Sequence, residues 1–298
     1  MSMAGLMGFL GISLLGLGFG LHSFLADLSE PLHKICLNSM PAASHWRFAY
    51  ASIICGAPLT EEALRQSLLA AGLIHLLVVS GLHLVLMQSW IQILLRPLKN
   101  FTLARPALIV ALCLYAASCQ LNPPITRALM GFFISNLNQK RKWFLTSAER
   151  TALAGVTCLT LFPEWWSSLS LPLSWTATLA LIIAPKKPLF AALSVYIFLI
   201  PPLLSLGIPH PASVFVNLLI APILGHVLFP LSLLASMAKP LTVLADGLWT
   251  LCFQVLSRLE PHLGAPQKLA SPSLSFLWIY LLGLQLVAIK KCRRRTRL

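Results

Sequence analysis

Long apolar runs recur along the whole chain, separated by short polar stretches rich in basic residues, proline and glycine. Read for length and continuity, they predict spans at 4–25, 73–95, 106–120, 124–137, 151–163, 167–184, 188–206, 211–236, 241–259 and 273–291. None shows the period-two alternation of a barrel strand, so helices are expected. A full crossing of the hydrocarbon takes about 20 residues. Runs 124–137 and 151–163 fall short of that. Such pieces are expected to be tilted, broken or re-entrant, buried against their neighbours. The fold class is all-α: a polytopic integral membrane protein with about 8–10 transmembrane or partly spanning helices.

One longer polar stretch, 26–72, breaks the pattern and reads as an external segment. Its last part, 60–71, reads as an amphipathic helix, with Thr60 placed to cap it and Glu61 and Glu62 in its first turn. Such a helix would lie along the membrane surface before the chain turns inward. Residues 1–298 therefore read as one membrane domain: a first span 4–25, the external segment, a helical core over 73–291 and a basic tail 292–298. The first run lacks a basic flank and a small-x-small cleavage site, and is read as a retained span.

Composition agrees with this layout. Of 298 residues, 57% are hydrophobic and 10% charged; a soluble domain carries about 25% charge. The shortage runs through the whole chain, which excludes a soluble protein with a single anchor. The net charge of +14 first reflects topology. If the C-terminal Lys290, Lys291, Arg293, Arg294, Arg295 and Arg297 are cytosolic, Lys239, Lys186, Lys187, Lys140, Arg141, Lys142, Arg150, Arg96, Lys99 and Arg105 fall on the same side. Only Lys34, Arg47, Arg65, Arg258 and Lys268 fall opposite. This is the positive-inside pattern, with both termini cytosolic. Trp46, Trp90, Trp143, Trp165 and Trp166 lie near span ends, as interfacial anchors do.

The seven cysteines show no C-x-x-C and no metal spacing. Cys113, Cys119, Cys158 and Cys252 sit in apolar runs as packing residues. Cys36 and Cys55 flank the external polar stretch, where a disulfide can form. No metal and no cofactor is expected.

Polar groups inside the spans carry the candidate chemistry, because each must be satisfied or face water. Arg127 follows Pro123 and Pro124, which end one helix and open the next. It either snorkels to the surface or faces a wet cavity and meets an anion. His75 and His83 lie two turns apart on one side of a helix, with Ser80 and Gly81 between them. Gly81 allows close backbone approach, and Ser80 can bond across helices. Packing and site remain alternative roles for this group. Asp246 is a possible intramembrane charge partner for Arg127 or a histidine. Asn217 with Pro222, and Ser174 with Pro172, mark further spans broken near polar groups. Proline-broken helices with polar residues beside the breaks point to a lined pathway or a substrate site.

Four of these segments share an order. The run from Gly72 to His83, with His75-Leu76-Leu77 and Ser80-Gly81-Leu82-His83, resembles the H-L-L-x-x-S-G-L-H signature of ComEC-type competence proteins. Leu114-Tyr115-Ala116 and then Pro123-Pro124-Ile125-Thr126-Arg127-Ala128-Leu129-Met130 are similar to that family's Y-A and P-S-x-x-R-A-x-x-M stretches. Leu171-Pro172-Leu173-Ser174-Trp175-Thr176-Ala177-Thr178 resembles F-Q-L-S-F-x-A-T, and Val216-Asn217-Leu218-Leu219-Ile220-Ala221-Pro222 resembles A-N-L-L-x-x-P. Pro124 stands in the place of the family's serine and Pro172 in that of its glutamine.

The resemblance implies an inner-membrane channel domain that passes single-stranded DNA into the cytosol during natural transformation. Arg127, His75, Ser80, His83, Ser174 and Asn217 would line the DNA path. Implied partners are the lipid bilayer, a DNA receptor, a cytosolic ATP-driven motor, a separate nuclease and further copies of the chain. No H-x-H-x-D-H run is present, so the chain is not expected to be an enzyme. No G-x-x-x-x-G-K-[ST] loop occurs, which assigns any motor to another chain. The alternatives are a small-molecule or ion transporter on the same helical core, and a non-conducting membrane assembly partner.

Overall fold

The computed structural model describes residues 25, 27–74, 81–96, 104–267 and 272–296. Helices follow one another as α1 (27–39), α2 (Arg47–Cys55), α3 (Glu62–Ala70), α4 (Gly81–Leu94), α5 (Ala104–Ser118), α6 (Pro123–Arg141), α7 (Ser147–Leu161), α8 (Ser170–Ile183), α9 (Pro188–Leu203), α10 (Ser213–Ile223), α11 (Phe229–Met237), α12 (Pro240–Leu263) and α13 (Leu274–Thr296). Among the described residues the only extended pairing is an isolated bridge between Ile208 and Gln267. The protein is an all-α polytopic membrane protein. Three helical stretches, Ser213–Met237, Pro240–Leu263 and Leu274–Arg294, are long and apolar enough to cross a bilayer. The predicted first span, and residues 75–80 of the second, lie outside the described residues.

Local chemistry sets the helix ends. Pro123 and Pro124 occupy the first turn of α6, where their missing N–H groups leave no bond unmade. A capping box starts α7: Thr146 Oγ1 accepts from the Glu149 N–H, and Glu149 accepts from the Thr146 N–H at 2.8 Å. Pro172 does not break its helix. It sits in the first turn of α8, a position that tolerates proline. Nor does Pro222 end its span. The helix passes through it and loosens into a π turn, Leu224–Leu228, before continuing as α11.

Contacts between helix ends sort into two layers. In one, Arg105 Nη2 donates to Asn136 Oδ1 (2.9 Å), Arg150 Nη1 to Ser135 Oγ (3.0 Å), and Arg293 pairs with Glu149 (2.6 Å). Lys291 reaches the Ile183 carbonyl in this layer. In the other, His33 Nδ1 meets the Ser118 carbonyl (2.8 Å), Ser67 donates to Glu260 (2.5 Å), and Trp278 Nε1 donates to the Trp166 carbonyl (3.0 Å). The spans run between the layers around two cores. The larger core is built on α2–α6 and α10–α12, with Trp249, Tyr50 and Phe229 fully enclosed. The smaller joins α7, α8 and α13, where Gln285 accepts from Trp175 Nε1 (3.0 Å) and donates to the Ala148 carbonyl (2.9 Å).

Segment 26–72 departs from its prediction. It does not stay outside the helical frame. Cys36 of α1 and Cys55 of α2 are joined in a disulfide, and the chain between them dips into the core as a hairpin. At its tip, Ser44 Oγ (2.7 Å) and Tyr50 Oη (2.5 Å) donate to Asp246 Oδ1. Trp46, placed at an interface by the sequence, is buried instead; it stacks on Trp249 and donates to Thr250 Oγ1 (3.0 Å). From Glu260 to Asp246, α12 falls by about 21 Å, against a hydrocarbon core about 30 Å thick. The hairpin is thus re-entrant, reaching well below the layer that contains Ser67. The helix after it starts at Glu62, with Glu61 as its cap residue in place of Thr60. Its buried face, Leu64, Ser67 and Leu68, packs on α12, which gives this face a protein partner where lipid was expected.

Candidate functional site

Arg127 lies one turn into α6 and is buried, with 7% of its surface exposed. Its Nε and Nη2 donate to Ser174 Oγ at 3.1 and 3.0 Å, and Nη2 donates to Thr178 Oγ1 at 2.7 Å. Ser174 and Thr178 are one turn apart on α8, so a single guanidinium fork spans both hydroxyls. No described carboxylate pairs with Arg127. The expected partnership with Asp246 is therefore corrected: Asp246 is taken up by the hairpin tip, and α8 supplies hydroxyls in its place.

Asn217 forms a second junction. Its Nδ2 donates to the Ala71 carbonyl (3.1 Å) and to the Ser213 carbonyl (2.9 Å), which docks α3 on α10. The adjoining Gly72 has φ +68, and a Cβ there would lie 3.2 Å from Ser213 Oγ and 3.3 Å from Asn217 Nδ2. Glycine satisfies both the left-handed backbone and the space. Gly81 makes a third junction: a Cβ on it would lie 3.2 Å from Ala128 Cβ, so α4 and α6 approach closely there. His83 is 1% exposed and sits edge-on to Phe229, their ring centroids 4.6 Å apart. His75 and Ser80 lie outside the described residues.

The four sequence motifs thus touch in a chain. Asn217 meets Ala71 and Gly72, Gly81 meets Ala128, and Arg127 meets Ser174. Arg127, His83 and Asn217 are each built into helix–helix contacts. Two cavities open elsewhere. One of about 440 Å³ lies between α1, the 120–121 turn and the Phe162–Trp165 turn, with His33, Lys34 and Glu164 on its walls. The other, about 520 Å³, lies between the end of α4 and the start of α5, walled by Gln92, Arg96 and Arg105. Neither contains Arg127 or His83.

A comparison with protein-family models matches residues 57–294 to the competence protein family. The chain belongs to the competence protein family. No curated protein matches it, and no solved structure does. The match covers all four motifs. Among the described residues no group of three His, Cys, Asp or Glu side chains is placed to hold a metal ion.

The competence-family motifs omit one ionic junction. Glu149 is held below the ordinary carboxylate value of 4.5, first by the Thr146 N–H and then by Arg293. It links the start of α7 to the basic end of α13. The T-x-x-E capping box from Thr146 to Glu149 is the sequence signal for half of this arrangement. Nothing in the sequence pointed to Arg293 as the partner.

Proposed function

We propose that this competence-family protein is a membrane subunit of the apparatus that carries single-stranded DNA across the bacterial inner membrane during natural transformation. The observation that carries the reading is the family match over 57–294, which spans the helical frame from before α3 to the last turn of α13. The physical requirement agrees with it. A strand with one charge per phosphate cannot pass through lipid and needs a wet, protein-walled route with cationic contacts.

In this reading the motif residues hold the frame. The Arg127–Ser174–Thr178 and Asn217–Ala71 junctions fix the spans relative to one another. The basic layer with Arg105, Arg150, Lys291 and Arg293 faces the cytosol, as the positive-inside rule directs, with both termini on that side. A separate DNA receptor, an ATP-driven motor and a nuclease complete the apparatus, and the chain itself cuts nothing. Deleting the gene and following labelled DNA tests the reading. Loss of the label from the cytosol, with DNA still bound at the cell surface, is expected. Undiminished cytosolic label in the deletion strain would overturn it.

A further inference from the structure

Helix α12 carries a polar residue at every fourth position: Asp246, Thr250, Gln254, Arg258 and His262. A four-residue repeat on an α-helix forms one gently inclined ridge. Most of α12 is unburied although it is long enough to span. Thr250, Gln254, Arg258 and His262 are all exposed. At the inner end of the ridge Asp246 is satisfied by the hairpin, and Thr250 accepts from Trp46 while donating to the Asp246 carbonyl (2.8 Å). Further along, the side-chain amide of Gln254 and the guanidinium of Arg258 make no hydrogen bond or ion pair among the described residues. Beside Trp46, Arg47 at the hairpin tip is exposed and likewise makes no side-chain hydrogen bond or ion pair among the described residues.

Lipid is a poor neighbour for such a surface. A charged side chain at mid-membrane costs about 2.5–3.5 kcal/mol on insertion scales, and an amide there has no partner for its hydrogen bonds. Arg258 can reach toward the outer layer, but Gln254 is more than two turns from the end of α12 and its amide is too short to do so. Direct contact with a second copy also fits badly. A two-fold axis places the same surface on both sides, which would set Arg47 and Arg258 against cations of their own kind. An extended polyanion matches the two exposed guanidiniums, Arg258 on the ridge and Arg47 at the hairpin tip, in charge, and the length of the ridge in shape.

We propose that α12 and the hairpin tip form one wall of the water-filled path along which a single nucleic-acid strand passes. Arg258 and Arg47 contact its phosphates, and Gln254 and Thr250 present polar groups between them. The proposal rests on the DNA-uptake reading and deepens it by placing a wall of the route on the outer face of α12. Among the described residues that face is uncovered, which leaves the strand a wet gap to run along.

Cysteine accessibility in native membranes tests this. Gln254→Cys is treated with a membrane-impermeant maleimide, and labelling is resolved by peptide mass spectrometry, since the chain keeps its own free cysteines. Ile279→Cys, on the outward apolar face of α13, is the lipid-facing control. The expected result is labelling about tenfold faster at Gln254→Cys than at the control, because only a hydrated thiol ionises and reacts. A single-stranded oligonucleotide added at saturation is expected to slow that labelling about fivefold or more. Arg258→Cys reports on the same wall if Gln254→Cys fails to insert. Labelling as slow as the control, a spontaneous disulfide between two copies at position 254, or indifference to the oligonucleotide each overturn the wall. The deletion experiment is independent of these outcomes. Abolished import with an unreactive Gln254→Cys would sink the wall alone, and normal import would sink the DNA-uptake reading whatever the labelling.

Discussion

Among the described residues Arg127 is held by hydroxyls alone, an unusual way to join two helices, and this sets what Arg127 does. Its removal leaves the Ser174 and Thr178 hydroxyls without their charged donor and opens a void between α6 and α8. Arg127→Ala is expected to lower stability by about 1–3 kcal/mol, read as an earlier thermal transition in detergent or nanodiscs. Import should then fall in step with the amount of folded protein. Import lost at full folded yield would show that the charge itself meets the strand. Gly155 of α7 makes a second, purely steric demand. A Cβ there would lie 2.1 Å from Trp175 Cζ3, and Trp175 also holds Gln285 of α13. Gly155→Ala is expected to cost about 1–3 kcal/mol by overpacking. An unchanged melting temperature would mean that Trp175 has another rotamer to occupy. The sequence marked Arg127 as costly because an arginine in an apolar run always is. It did not mark its partners, since Ser174 and Thr178 are distant in the chain and ordinary in a helix.

Among the elements, the start of α7 titrates. Glu149 accepts from the Thr146 N–H and pairs with Arg293, and both hold its carboxyl below its ordinary value. A depressed value means that its contribution is complete above pH about 4.5 and is lost as pH falls through the lowered value. Hydrogen exchange around residues 146–150 is expected to quicken below that point, and Glu149→Gln should remove the pH dependence in the same window. An identical pH profile in the variant would exclude Glu149 as the titrating group. Most spans were legible because a long apolar run in lipid has one solution. The hairpin was not, since α2 is only nine residues long and falls far below the length that marks a span. Its tryptophan then read as an interfacial anchor. The ridge on α12 was legible and was missed: reading spans by total apolarity hides a polar series at a four-residue interval.

Across the whole molecule, two polar layers frame the spans, and the basic residues crowd into one of them. That asymmetry predicts an orientation. A phosphatase reporter fused after Gly264 is expected to be active outside the cytosol, and one fused after Ala238 inactive; the opposite result would invert the protein in the membrane. The disulfide between Cys36 and Cys55 bears on how this arrangement comes about. Thiols are kept reduced in the cytosol and are oxidised beyond the membrane. In that orientation the neck of the hairpin closes only after translocation, while its tip settles beside α12, whose own synthesis comes some two hundred residues later. Biogenesis in that orientation would set an extracytoplasmic oxidant against a late-arriving helix, and a cell poor in thiol oxidase is expected to accumulate chains whose loop is inserted but not yet locked.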